Sequence, residues 1–256
     1  LANRGILEKI IRFLKPAQYE TVIEIGAGLG HLTALLGQAE TPVIAIERDA
    51  QLKAHLSAVA ARGKAVKVVI GDARRLSAIA AITDAKRPLG VVGNLPFGCA
   101  TEILFEVLRL RRPARKAVLM FQKEVADRLC APPHSRQYGA LTVNCRAQCA
   151  LEPLFSVKAG SFYPRPEVDA TVLAIQPFDP PRLDPCCLQT LRTLVQGAFG
   201  GRRKMFRNAL KHAGLWNRVQ QIGSAVTPLQ KLRPQDIAPC QYISLAQALC
   251  RQQGHR

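Results

Sequence analysis

The sequence predicts an α/β chain: a Rossmann-like, doubly wound, mostly parallel sheet followed by a small C-terminal helical domain. Three observations predict it. Short apolar runs alternate with helical stretches through the first half, the pattern of strands and helices around a parallel sheet. Three glycines, Gly26, Gly28 and Gly30, directly follow the first apolar run, where a strand would turn into a helix beneath a ligand. The segment QPFDPPRLDP, residues 176–185, holds four prolines in ten positions, which ends any regular element.

Taken in order, ILEKIIRFL (6–14) reads as an opening helix and TVIEIGAG as strand then glycine turn. HLTALLGQA is a helix, PVIAIERD a strand, QLKAHLSAVAARG a helix and AVKVVIGDA a third strand. LGVVGNLPF is a fourth strand, TEILFEVLRL a helix, KAVLMFQ a fifth strand and KEVADRLC the helix after it. The pattern then changes. PPHSRQYG is a loop, ALTVNCRAQC a helix, and LFSVKAGSFYPRPEVDATVLAI two extended segments split by prolines, which fits an antiparallel end to the sheet. The expected division is a first domain over 1–178 and a helical, basic domain over 186–256.

The 256 residues are 48% hydrophobic, enough for one large core or two smaller ones. No apolar run is long enough to span a membrane. Thirty-six Lys and Arg against eighteen Asp and Glu give a net charge of +18, which self-repels unless a polyanion screens it and makes nucleic acid the first candidate partner. The eight cysteines, at 99, 130, 145, 149, 186, 187, 240 and 250, lack the C-x-x-C spacing of zinc ribbons and redox sites, so no metal is expected. Cys145 and Cys149, four apart, are placed to share a helix face as small buried hydrophobes.

The G-x-G-x-G turn has His31 where a dinucleotide fingerprint wants its third glycine, so it suits a nucleoside ligand without phosphates. Glu47 ends the second strand, 21 residues after Gly26, placed for ribose hydroxyls. Asp72 ends the third strand, placed for an adenine amine. With the glycines these two acids surround one crevice at the carboxyl ends of the strands, the binding position of open α/β sheets. Glu24 lies inside the first strand, placed either to position the turn or to meet a cofactor's amino group.

Asn94-Leu95-Pro96-Phe97 leaves the fourth strand at the same edge. An adenine amine is a poor nucleophile because its lone pair is delocalised into the ring. Two acceptors, the Asn94 side-chain oxygen and the Leu95 carbonyl, would bind its two hydrogens and aim the lone pair at an electrophilic methyl group. Pro96 restricts the Leu95 carbonyl, and Phe97 offers a flipped-out base a face to stack on. No general base appears, and none is needed if the methylated nitrogen loses its proton to water.

With EIGAGLG, IERD, GDA and GNLPF in this order, followed by FQKEVADRL, SFYPRPEVDATVLAI and GRRKMFRNAL, the chain resembles the KsgA-type family of ribosomal RNA adenine dimethyltransferases over nearly its whole length. The resemblance implies the class I S-adenosylmethionine-dependent methyltransferase fold, S-adenosylmethionine contacts at Leu1, Gly26, Gly28, Glu47, Asp72 and Asn94, and dimethylation of two adjacent adenines in a small-subunit rRNA hairpin. It also implies a role in small ribosomal subunit assembly, acting as a monomer. The family's Gln-Asn-Phe is expected immediately upstream of Leu1, and position 97 is Phe where bacterial members commonly have Tyr. NLPF together with FQKEVADRL is similar to mitochondrial members, the group of the mitochondrial transcription factor B proteins. The expected location is therefore the mitochondrial matrix, with the cytoplasm of a bacterium as the alternative.

Arg202, Arg203, Lys204, Arg207 and Lys211 lie within ten residues on an expected helix and are candidates for RNA phosphate contacts. A second cluster, Arg109, Arg111, Arg112, Arg115 and Lys116, lies at the far end of the fourth helix, away from the crevice. Arg136 and Tyr138 are candidates for contact with the target strand. Two other readings remain: a ribosome-assembly or transcription factor that reuses the fold, and a methyltransferase of large-subunit rRNA.

Overall fold

The protein is described by a computed structural model covering residues 3–79, 82, 88–96, 98–110 and 114–252. Its chain packs as two units, residues 1–126 with 150–177 and residues 127–149 with 178–256.

The first unit is built on a seven-stranded sheet. Helix α1 (Arg4–Leu14) opens it, capped by the Asn3 side chain accepting from the Ile6 N–H, and buries Leu7, Ile10 and Leu14 along one stripe. Strands β1 (Thr21–Ile25), β2 (Val43–Glu47), β3 (Val66–Ile70), β4 (Leu89–Asn94) and β5 (Lys116–Gln122) pair in parallel in the spatial order β3-β2-β1-β4-β5. β1 is buried throughout, as a continuous apolar run covered on both faces should be. β3, at one edge, is only partly buried, with Lys67 exposed. Helices α2 (His31–Leu36), α3 (Lys53–Ala60) and α4 (Ala100–Arg109) follow β1, β2 and β4.

The expected antiparallel end is present. β7 (Ala170–Pro177) runs antiparallel to β5, with Val118 opposite Ala174 and Met120 opposite Val172, and β6 (Cys149–Val157) forms the outer edge. The order β3-β2-β1-β4-β5 reverses between β1 and β4, so the carboxyl ends of these two strands flank the crevice where such sheets bind ligands.

The second unit is helical: the end of α5 (Lys123–Cys130), then α6 (Ala140–Arg146), α7 (Pro185–Gly200), α8 (Phe206–His212), α9 (Trp216–Val219) and α10 (Pro239–Gln252). Leu191, Leu194, Val195 and Ala198 of α7 and Tyr242, Leu245, Ala246 and Leu249 of α10 recur at helical spacing and form its core. Pro185 sits in the first turn of α7, and the Asp184 side chain accepts from the Cys187 N–H at 2.7 Å.

This division differs from a single break in the proline-rich segment. Residues 127–149 belong with the C-terminal helices because Tyr138, Val143 and Ala147 are buried in that core, and the Tyr138 hydroxyl donates to the Ile237 carbonyl at 2.8 Å. Cys149 also departs from expectation. It opens β6 and does not continue α6, although both cysteines are buried and the sulfurs lie 3.5 Å apart.

Candidate functional site

A cleft of about 360 Å³ opens at the carboxyl ends of β1 to β4. Its floor is Ile25 and Gly26 after β1, Glu47 and Arg48 at the end of β2, Gly71 to Ala73 after β3, and Asn94 to Pro96 at the end of β4. Parallel strands end on one side, so residues far apart in sequence meet here.

Gly26 and Gly28 have φ of +73° and +55°, where a side chain is strained. A Cβ on Gly26 would also stand 3.2 Å from the Asn94 carbonyl oxygen, whereas the space beside Gly28 is open. The bend thus leaves bare backbone at Gly26, which lines the cleft, whereas Gly28, also expected at the cofactor, is not among the lining residues. Glu47 holds the bend in shape: Oε2 accepts from the Gly28 N–H at 2.8 Å, and Oε1 from the N–H groups of Arg48 and Asp49 at 2.7 and 2.9 Å. A carboxylate has about four acceptor positions, so Oε2 retains one for a ligand hydroxyl.

Asp72 does not end the third strand, which stops at Ile70; it lies two residues beyond and caps the 3₁₀ turn at Ala73–Ala78. Its carboxylate accepts from the Arg74 N–H and from the Arg74 guanidinium, the shortest contact being 2.6 Å between Nη2 and Oδ2. These hydrogen bonds hold its pKa down at about 2. Glu24 lies two residues before the bend but is not among the residues lining the cleft. It is 1% exposed, burial pushes its pKa up to about 8 against the opposing effect of Thr33, and its Oε2 finds no partner among the described residues.

Asn94 ends β4 half-buried on the cleft, the Leu95 side chain is buried and Pro96 is exposed. Leu1 and Phe97 lie outside the described residues. The opposite wall was not read from the sequence. Phe162, Tyr163, Pro164 and Pro166, in the loop between β6 and β7, line the cleft with Cys99 and Ile103, and Tyr163 is 91% exposed. Two aromatics set among closely spaced prolines, FYPRP, were the available signal.

The basic segment is not one helix. Arg202, Arg203 and Lys204 precede α8, which carries Arg207 and Lys211. Arg203, Lys204, Arg207 and Lys211 are exposed. Arg202 is committed elsewhere: its guanidinium donates to Gln235 Oε1 at 3.0 Å and to the carbonyls of Ser135 and Arg136 at 3.3 and 2.6 Å, tying two loops together. Backbone hydrogen bonds from Phe206 to Leu232 and from Arg207 to Gln230 bring exposed Lys231 and Arg233 beside this face, cations that linear spacing did not connect to it.

Tyr138, expected near a target strand, is fully buried in the helical core. In the second cluster Arg109 pairs with Glu106 and Lys116 donates to the Phe13 carbonyl, while Arg111 and Arg112 lie outside the described residues. No helix among the described residues is long and apolar enough to cross a membrane, and no group of three or more potential metal ligands occurs among them.

Residues 1–246 match the model of a family described as ribosomal RNA adenine dimethylase. The chain is 34% identical over 256 residues, covering 100% of its own length and 93% of the relative's, to ribosomal RNA small subunit methyltransferase A of Acidithiobacillus ferrooxidans. It is 44% identical over 197 residues, 76% of this chain and 67% of the relative, to the protein of the same name from Rhodospirillum rubrum. Both relatives are bacterial and lend no support to the mitochondrial branch. Among solved structures, a dimethyladenosine transferase from Plasmodium falciparum superposes with a TM-score of 0.85 at 23% identity over 99% of this chain and 98% of that one, a likeness of fold.

Proposed function

The chain belongs to the ribosomal RNA adenine dimethylase family, and from that premise we infer that it is the enzyme that dimethylates adenines of small-subunit rRNA, with S-adenosylmethionine as the methyl donor. The observation that carries this reading is one cleft lined by Gly26 of the bare bend, Glu47, Asp72, Asn94 and Leu95, with the nearby Gly28 N–H bonded to Glu47. An adenosine moiety fits that donor and acceptor set: Glu47 Oε2 has an acceptor position open for a ribose hydroxyl, and Asp72 is an ionised acceptor for an amine.

When bound, S-adenosylmethionine supplies an electrophilic methyl group on a sulfonium. The protein's part is positional. The Asn94 side-chain oxygen and the Leu95 carbonyl accept the two hydrogens of the substrate amine, which localises the nitrogen lone pair and directs it at the methyl carbon. The nitrogen held there would pass its released proton to water, so no residue of the cleft need act as a base. After the first transfer one hydrogen remains on that amine, so one of the two acceptors would hold it while the other faces the added methyl group. Leu95, buried, and Pro96, fixed in φ, keep the carbonyl in place. Phe97 is proposed as the face on which the target base stacks.

The partner is small-subunit rRNA in the assembling small ribosomal subunit, with Arg203, Lys204, Arg207 and Lys211 as phosphate contacts. Replacing Lys204 and Arg207 with alanine is expected to weaken RNA binding and to flatten the slope of log K against log salt by about two. Arg202→Ala is expected to leave that slope intact and to lower the melting temperature. Anisotropy titrations over a salt series and thermal melts separate the two effects. The bacterial relatives favour a bacterial location over the mitochondrial matrix.

The test of the function is transfer of labelled methyl groups from S-adenosylmethionine to small-subunit RNA. Label is expected in small-subunit RNA and not in large-subunit RNA; label confined to large-subunit RNA would overturn the assignment.

A further inference from the structure

We propose that Arg74 is a positioning residue for cofactor recognition: its guanidinium holds the Asp72 carboxylate from outside the cleft, presenting that carboxylate to the cofactor's adenine amine. The inference rests on the reading of this cleft as the S-adenosylmethionine site.

Four contacts fix the pair. The Arg74 N–H donates to Asp72 Oδ1 at 2.9 Å, Nε donates to Oδ1 and Oδ2 at 3.1 and 2.9 Å, and Nη2 donates to Oδ2 at 2.6 Å. The planar guanidinium is matched to a carboxylate in a way a lysine ammonium is not. It therefore sets the plane of the carboxylate as well as its charge. Asp72 and Ala73 line the cleft, whereas Arg74 does not. Three hydrogens of Arg74 occupy the carboxylate, the Nε hydrogen being shared between both oxygens, and one of its roughly four acceptor positions is left for a ligand amine.

Asp72 needs this grip because little else holds it. Its side chain is 30% exposed, and no hydrogen bond to it from any other described residue accompanies those of Arg74. Arg48, itself on the cleft, adds only a longer-range pull that lowers the Asp72 pKa further. An ungripped carboxylate would sample several rotamers, and a single hydrogen bond to an amine would have to order it on binding. Arg74 is itself 45% exposed in its side chain. An ion pair so exposed adds little to folding stability, so its consequence lies in orientation. The neighbouring Arg75 carries the same charge, is exposed and makes no such contact with Asp72, which provides a control.

The experiment is calorimetric titration of S-adenosylhomocysteine and of its inosine counterpart, which replaces the amine with a carbonyl, into the full chain and its variants. Wild type is expected to prefer the adenine ligand. Arg74→Ala is expected to weaken the adenine ligand by about tenfold and to leave the inosine ligand nearly unchanged, so the preference collapses. Arg74→Lys should recover part of it and Arg75→Ala should behave as wild type. In methyl transfer, Arg74→Ala should raise KM for the donor and preserve kcat. Adding Arg74→Ala to Asp72→Asn should cost little more than Asp72→Asn alone. Equal weakening of both ligands, an unchanged or tighter adenine affinity in Arg74→Ala, or the same loss in Arg75→Ala would overturn the proposal. A wild-type chain that binds neither ligand would overturn the cofactor reading and this inference together.

Discussion

Asn94→Ala is expected to reduce methyl transfer by a factor on the order of 10² to 10³, the loss usual when one preorganised polar contact to a reacting group is removed, while affinity for the RNA stays essentially unchanged. The reason is the division of labour. Asn94 sits at the end of β4 on the cleft, where its carboxamide oxygen is one of only two acceptors proposed for the amine, whereas the exposed cations that would hold phosphates belong to the helical unit. Single-turnover transfer with saturating S-adenosylmethionine, set beside an RNA titration of the same variant, checks this. Equal losses in rate and in RNA affinity would remove Asn94 from the role assigned to it.

Glu24→Gln is expected to stabilise the protein near neutral pH. The carboxyl is buried in the middle of β1 and its pKa rises from 4.5 to about 8, while the unfolded chain ionises it at the ordinary value. Between those two values the folded state holds a proton that the unfolded state has released, so stability falls as pH rises through this window. By pH 7 the penalty amounts to about 3 kcal/mol, taken at 1.36 kcal/mol for each pKa unit. The neutral amide removes it. Denaturant unfolding across pH 5 to 8 should show the wild type losing stability relative to Glu24→Gln as pH rises; parallel curves for the two proteins would show that Glu24 is ionised in the fold.

The strand-end chemistry was legible because parallel strands impose it. Once TVIEI, PVIAIE, AVKVVI and LGVVGN read as successive strands, Gly26, Glu47, Asp72 and Asn94 had to arrive at one edge, whatever the intervening helices did. What the sequence concealed depends on long-range partners. Arg202 lies in a run of cations, and its bonds to Ser135, Arg136 and Gln235 come from loops far away in the chain. Tyr138 sits in a polar loop segment, yet burial against α7 and α10 makes it a core residue. The far wall of the cleft, Phe162 to Pro166, comes from a hairpin whose return to the site depends on β7 inserting between β5 and β6. The Asp72–Arg74 grip was within reach, since only Ala73 separates the charges in GDAR, but that spacing reads equally well as a solvated turn.

On the proposed reading one cleft seats the methyl donor against the Asn94 end of β4. A crystal structure of the complex with S-adenosylhomocysteine tests it most directly. The expected complex has the ribose on Glu47, the adenine amine on Asp72 with Arg74 still paired behind it, and the sulfur directed toward Asn94. An ordered ligand bound anywhere else, or one in the cleft with its sulfur turned away from Asn94, would contradict that reading.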